Sequence, residues 1–440
     1  MTARTPLILA VLIALVGIGG CQSSPPQATL AKGDLALIEA AMREVEKSYV
    51  VQVKPEKLVT GALKGMLNRL DPHSDYLEER EYRDLVATTS GQFGGVGIEI
   101  SVEDGVPQVI TAIDGTPAAG AGIEPGDRII KADGQPTVGM DIEEVVRRLR
   151  GSPGTPVVLT IARANRAPFE VPITRAVIRV ESVKSELKPG RIGYVRVSTF
   201  DDNTPAELRK AIARMRQQAG GNFAGFVLDL RNDAGGLLDA AIDVAGDFLD
   251  RGIVVSTRGR EPDENRVFTA ASRGDLIRGV PMAVLINGAS ASASEIVAGA
   301  LQDNRRATLI GTRSFGKGSV QSIIPIDGYG ALRLTTALYY TPSGASIQGS
   351  GITPDVVASL PKEAQVANSI MTYESDLFGT LKANGALAPT DKAPRRPRKP
   401  ITEGADRPIN PKFIGSPLDT QLAAAIEYLK AHPSATASAQ

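Results

Sequence analysis

Three short segments concentrate the residues able to do chemistry. In Asn287-Gly288-Ala289-Ser290-Ala291-Ser292-Ala293-Ser294-Glu295, the apolar strand Met282–Ile286 runs into small residues and then a helix. A Ser at such a turn can present its hydroxyl at a cleft, and the N–H groups opening the helix favour negative charge. The same residues also read as a plain Ser-rich helix cap. In Gly311-Thr312-Arg313-Ser314-Phe315-Gly316-Lys317-Gly318-Ser319-Val320-Gln321, Lys317 lies between two glycines, where backbones pack closely. A desolvated ammonium loses its proton more easily, and the neutral amine can act as a base. A solvated loop Lys is the plainer alternative. Gly316-Lys317-Gly318-Ser319 looks like part of a phosphate loop, but the full pattern is not met. In Asp229-Leu230-Arg231-Asn232-Asp233-Ala234-Gly235-Gly236 a buried strand meets a Gly-Gly turn leading into a helix. Glycines there let backbone N–H groups face a cavity, as an oxyanion site needs. A Ser with such a Lys is an alternative to Ser–His–Asp chemistry.

The bulk numbers narrow the options. A chain of 440 residues is too long for one compact core, so two to four domains are expected. Lys+Arg and Asp+Glu are both 49, and no domain is basic enough to argue for nucleic acid. Two His and one Cys make a zinc site, a disulfide, a Ser–His–Asp triad or a Cys–His pair hard to build. No metal and no cofactor are expected. The start, Arg4 followed by the apolar run Pro6–Val16, reads as an export signal and is short for a spanning helix. Its end, Ile18-Gly19-Gly20-Cys21, resembles a bacterial lipobox, which would make Cys21 a lipidation site with Gln22–Gln27 as a tether. An uncleaved anchor or a plain signal with an incidental Cys is the alternative.

Other elements must position these turns. Residues 33–87 read as helical, with Leu58, Val59, Ala62, Leu63, Met66, Leu67 and Leu70 at helical spacing, and Asp71-Pro72 as a stop. His73 fits a hydrogen-bonded turn residue better than a catalyst. From Gly91 to about Arg175 short strands alternate with Gly turns, interrupted by one helix from Asp141 to about Leu149. Then buried strands Arg191–Val197, Phe226–Leu230 and Met282–Ile286 alternate with helices at about 204–218, 236–250 and 292–302, which argues for an α/β core. Residues 383–412 read as a loose linker, and the run Arg395–Lys399 as a solvated part of it rather than a lipid contact. A last helix follows, with Ser416 as cap, Pro417 in its first turn and a stripe of Leu418, Leu422, Ile426 and Leu429.

Together these segments resemble the C-terminal processing peptidases, also called tail-specific proteases, from about residue 38 to 360. The resemblance begins at Leu70-Asp71-Pro72-His73-Ser74 and continues through Gly91-Gln92-Phe93-Gly94-Gly95-Val96-Gly97. It takes in the three segments above, then Tyr340-Thr341-Pro342-Ser343-Gly344-Ala345-Ser346-Ile347-Gln348 and Gly351-Ile352-Thr353-Pro354-Asp355. It implies an α+β multidomain fold: an N-terminal helical segment, a PDZ-like β-rich domain, an α/β ClpP/crotonase-like protease core and a C-terminal helix. The expected limits are 1–20 signal peptide, 21–32 tether, 33–88 helical region, 89–175 PDZ domain, 176–360 Ser-Lys core and 361–440 linker and helix.

The resemblance also implies roles. The nucleophile is the middle Ser of Ser-Ala-Ser-Ala-Ser-Glu, here Ser292, and the base is Lys317, 25 residues later as the family pattern requires. Gln321 would orient the amine, Asp303 would be a supporting residue, and the oxyanion donors would be Ala293 and one of Gly235 and Gly236, with Gly236 slightly favoured. Ala234 departs from the Pro or Gly often found before the glycine pair. Gly94-Gly95-Val96-Gly97-Ile98 resembles a PDZ carboxylate loop with its peptide-pairing strand. Gly115–Ala119 and Gly126–Gly134 complete that likeness. The expected partners are protein substrates with apolar C-termini and a membrane reached through a lipid anchor, with no nucleic acid; an adaptor protein or a homo-oligomer is left open. The implied setting is the bacterial cell envelope. Two other functions compete: a non-catalytic PDZ scaffold on a protease-like core, and a crotonase-like acyl-CoA enzyme, against which the export signal argues.

Overall fold

The structure, a computed structural model, describes residues 32–433 apart from 104, 114, 141, 165, 180, 271–272, 367–372 and 384–406. The export signal, Cys21, most of the tether and the Arg395–Lys399 run lie outside the described residues. The chain divides into two units, Met1–Gly61 and Ala62–Gln440. In the first, helix Lys32–Ser48 carries Asp34 in its first turn and Lys47 in its last, the arrangement a helix dipole favours. A second helix, Pro55–Asn68, which runs past the boundary at Gly61, starts on a proline whose missing N–H costs nothing there.

The second unit is built on a six-stranded sheet ordered Val183–Lys188, Ile192–Val197, Gly225–Asp229, Met282–Ile286, Thr308–Gly311, Val356–Val357. All neighbours after the first pair run parallel. Strands Gly225–Asp229 and Met282–Ile286 are buried at every residue, because the sheet is covered on both faces. Helices Thr204–Gln218, Leu238–Gly246 and Ala293–Asp303 supply one layer, through Leu208, Ile212, Val244, Ile296 and Val297. Helix Thr420–Ala431 supplies the other, setting Leu422, Ala425 and Leu429 on Tyr194, Val227, Ala283 and Leu285. Parallel sheets of this kind hold their ligands beyond the carboxyl ends of the strands. The turns after Asp229, Ile286 and Gly311 all leave from that end.

A second sheet joins Asp75–Leu77, Gly330–Tyr340, Ile253–Gly259 and Arg266–Thr269, with Ser319–Ile326 as a hairpin partner of Gly330–Tyr340. The helical stretch expected over residues 33–87 is interrupted after its Asp71-Pro72 stop by the strand Asp75–Leu77. Helix Pro55–Asn68 ends before Asp71-Pro72, and the chain then pairs with Ala331–Arg333 before helix Glu79–Thr89 begins.

The β-rich module has the sheet Ile98–Glu103, Val106–Ala112, Arg128–Ala132, Pro156–Ala162, Phe169–Thr174 and the helix Ile142–Leu149, around Val109, Ile129, Val145, Leu159 and Ile161. A two-stranded neck, Gln92–Gly95 against Ala176–Arg179, closes its base.

Two expectations for the C-terminal region are corrected. The last helix is capped by Asp419, whose side chain accepts from the Leu422 N–H, whereas Ser416 caps only the preceding turn, and Leu418 precedes the helix. The stretch 383–412 is also not all linker: Ile409 is fully buried and bridges to Gln365. Asp419 further pairs with the fully buried Arg231, which also binds Asp229 at 2.7 Å. This ties the last helix to the sheet through charges that are costly to bury unless paired.

Candidate active site

Ser292 opens helix Ala293–Asp303 with φ 54° and ψ −112°, a conformation that an L residue avoids. Such strain costs about 1–3 kcal/mol and persists only where surrounding contacts impose it. Here Ala291 N–H donates to Asp233 O at 2.9 Å, Ser294 Oγ to the same oxygen at 3.0 Å, and Ser292 N–H to Glu295 Oε2 at 2.8 Å. The result is a nearly buried Ser at a sharp strand-to-helix turn.

The glycine pair lies against this turn. A Cβ on Gly235 would stand 2.8 Å from Ala293 N and 2.9 Å from Ser292 Cβ, so only glycine fits. Gly236 is as constrained, since its Cβ would fall 2.0 Å from Phe200 O. The Gly235 N–H is already taken, donating to Asp233 Oδ1 at 2.8 Å. The N–H groups of Gly236 and Ala293 donate to no acceptor among the described residues. Of the expected oxyanion donors, these two are therefore the open ones.

Glu295 ties the serine turn to the lysine loop. Its carboxylate is fully buried and accepts from Ser292 N–H, Ser314 Oγ at 2.5 Å, Gly316 N–H at 2.7 Å and Lys317 N–H at 2.9 Å. Burial pushes its pKa up to about 7 against the pull of those four donors. The sequence reading assigned Glu295 no role. The Ser-x-x-Glu spacing of a capping box was the local sign of it.

Lys317 is largely buried, and desolvation lowers its pKa. Glu374 opposes that shift most, Arg333 adds to it, and Glu295 and Asp71 oppose it more weakly. Its Nζ makes no hydrogen bond among the described residues, so Ser292 Oγ and Lys317 Nζ are not directly bonded here. Gln321 donates its amide N–H to Ser319 Oγ at 2.9 Å and Thr335 Oγ1 at 3.3 Å, and among the described residues makes no hydrogen bond to Lys317. Asp303 closes the far end of the helix, about 16 Å along its axis from Ser292, and accepts from the Ser343 N–H at 2.9 Å. Thr335 in turn donates to Asp71 Oδ1 at 3.1 Å, so the turn Asp71–Ser74 is part of the site's support.

In the β-rich module a groove of about 190 Å³ runs between strand Ile98–Glu103 and helix Ile142–Leu149. Gly95, Val96, Gly97, Ile98, Val146 and Arg150 line it, whereas Gly94 belongs to the neck. Ile98–Glu103 is an edge strand, and the N–H groups of Val96 and Gly97 take no acceptor among the described residues. An open edge ending in free N–H groups suits an extended peptide with a terminal carboxylate. The groove helix is tied to its surroundings at its C-terminus. Arg80 Nη2 donates to Arg147 O at 3.1 Å and Arg175 Nη2 to Arg148 O at 2.7 Å.

Three stretches of the chain match known protein families. Residues 191–358 match peptidase family S41, 108–163 a PDZ domain, and 19–81 the N-terminal domain of the activating protease CtpB. A carboxy-terminal-processing protease of Bartonella bacilliformis is 48% identical over 79% of this chain and 80% of its own length. The carboxy-terminal processing protease CtpA of Bacillus subtilis is 35% identical over 78% and 73%. A photosystem II D1 C-terminal processing protease of known structure is 31% identical, covers 76% of this chain and 95% of its own, and has a TM-score of 0.45. The chain belongs to the C-terminal processing proteases of peptidase family S41. It is a serine-type peptidase carrying a PDZ domain.

Asp233 generates a pH prediction. It is fully buried, its Oδ2 has no hydrogen-bond partner among the described residues, and burial pushes its pKa up to about 8. A carboxyl whose folded pKa is raised stabilises the fold while protonated and loses that contribution as pH rises through the folded value. Denaturation across pH should therefore show Asp233→Asn gaining stability over wild type between the ordinary carboxylate range and about pH 8. A difference independent of pH would contradict a protonated Asp233.

Proposed function

We propose that Ser292 and Lys317 are the nucleophile and general base of an acyl-transfer endopeptidase that selects substrates by their C-termini. The observation that carries this reading is the shared carboxylate of Glu295, which holds the strained serine turn and the loop of the partly desolvated Lys317 together. Neutral Lys317 takes the Ser292 proton as Oγ attacks the scissile carbonyl, forming a C–O bond. The N–H groups of Gly236 and Ala293 receive the oxyanion. Lys317 then gives the proton to the leaving amine, the C–N bond breaks, and water hydrolyses the ester with the same base. Catalytic hydrogen bonds are often unformed without substrate, which fits the separate Ser292 and Lys317 side chains. We take residues 89–175 as the selecting domain, its apolar groove and free N–H groups suiting a chain end with an apolar last residue.

Cleavage of a protein with a free, apolar C-terminus tests both parts. Ser292→Ala and Lys317→Ala should each lower kcat/KM by more than about 10³-fold while remaining folded. An Asp at the substrate's last position should raise KM with little change in kcat. Near-wild-type cleavage by either variant contradicts the dyad.

We further propose that Cys21 is lipidated and that the substrates are envelope proteins. The support is the solitary Cys after Ile18-Gly19-Gly20. Among the described residues no helix is long and apolar enough to cross a membrane. Cys21→Ala should move the protein from the membrane to the soluble fraction or block its maturation. A wild-type mature N-terminus without lipid, read by mass spectrometry, would overturn this.

A further inference from the structure

Beyond residues 191–358, the stretch that matches the peptidase family, the chain returns to the site at a fully buried carboxylate, Glu374. Its backbone N–H donates to Phe315 O at 3.2 Å. Its Oε1 accepts from Gln348 Nε2 at 2.8 Å and from Thr380 Oγ1 at 2.7 Å, and His73 Nε2 lies 2.8 Å from Oε2. Gln348 in turn accepts the Gly318 N–H at 2.9 Å. The loop is thus gripped at Phe315 and Gly318, on both sides of Lys317, by groups that converge on Glu374.

We propose that Glu374 is a positioning residue for Lys317: from a segment outside the family core it clamps the lysine loop on both sides and places a carboxylate charge, partnered by His73, beside that loop. This rests on Lys317 being the base. Glu295 grips different groups of the same loop, accepting from Ser314 Oγ and the N–H groups of Gly316 and Lys317.

The electrostatics agree in sign. Burial raises the Glu374 pKa, but bonds from His73, Thr380 and Gln348 outweigh it and keep the carboxyl below its ordinary range, hence ionised. The charged groups acting on Lys317 are Glu374, Arg333, Glu295 and Asp71, and Glu374 favours the ammonium most. Arg333 is itself held near this cluster, donating to His73 O at 3.0 Å. An adjacent negative charge favours the ammonium, so its removal increases the neutral fraction at any given pH.

The test uses the full chain and two readouts. One is kcat and KM against pH on a protein substrate. The other is the pH dependence of acylation of Lys317 by a small anhydride, followed by mass spectrometry, which needs no activity. Glu374→Gln should move both the Lys317 titration and the rising limb of kcat/KM to lower pH. It should also reduce the kcat plateau several-fold at similar KM. His73→Gln, which leaves a carboxylate at Glu374, should lower the plateau and move the limb less. A Lys317 titration unmoved by Glu374→Gln in folded protein overturns the proposal alone. A titration that shifts while the kcat/KM limb stays put overturns the dyad, and this proposal with it.

Discussion

The serine turn and the lysine loop come from different strands of the parallel sheet and meet on one carboxylate. Glu295 takes a hydrogen bond from Ser292 N–H and three more from Ser314, Gly316 and Lys317. A buried carboxylate is expensive unless its oxygens are satisfied, so the fold that buries Glu295 must bring both chain segments to it. The geometry of the site follows from that one desolvated group. Ser292 keeps its positive φ because its own N–H has been captured, and the Lys317 side chain projects from a backbone that cannot drift.

The rest of the molecule makes that burial feasible. Apolar layers on both faces of the sheet hold the strand ends in register. Arg231, between Asp229 and Asp419, locks the covering C-terminal helix to the strand that leads into the glycine pair. Removing one partner of such a buried pair typically costs about 3–5 kcal/mol, so this contact also secures the ground beneath the oxyanion donors. The second sheet takes Asp71 and His73 to the lysine side through the pairing of Asp75–Leu77 with Ala331–Arg333.

Local patterns made much of this legible. The helix at 204–218 and the strand Met282–Ile286 follow from periodicity, and the structure has them at those limits; the Gly turns between Gly91 and Arg175 likewise separate short strands. The serine and glycine turns were visible because positive φ and close approach demand particular residue types. Long-range partners were not visible. Nothing near Gln321 in the chain indicates that its amide binds Thr335, and nothing near Asp303 indicates that it serves Ser343. Glu374 lies beyond the family motifs, and only the folded chain puts it beside His73. The cap at Asp419 was mistaken for Ser416 because both residue types cap well, and the buried partner Arg231 decides between them.

The most direct measurement is the turnover of Glu295→Gln, with folding checked separately. Its amide has the shape of the carboxylate but only one acceptor oxygen for four donors. If Glu295 holds both halves of the site, kcat should fall by about 10²-fold, as expected for displacement of reacting groups by about 1 Å, with KM little changed. A folded Glu295→Gln enzyme whose kcat stays within about twofold of wild type, far short of such a displacement effect, would contradict the account.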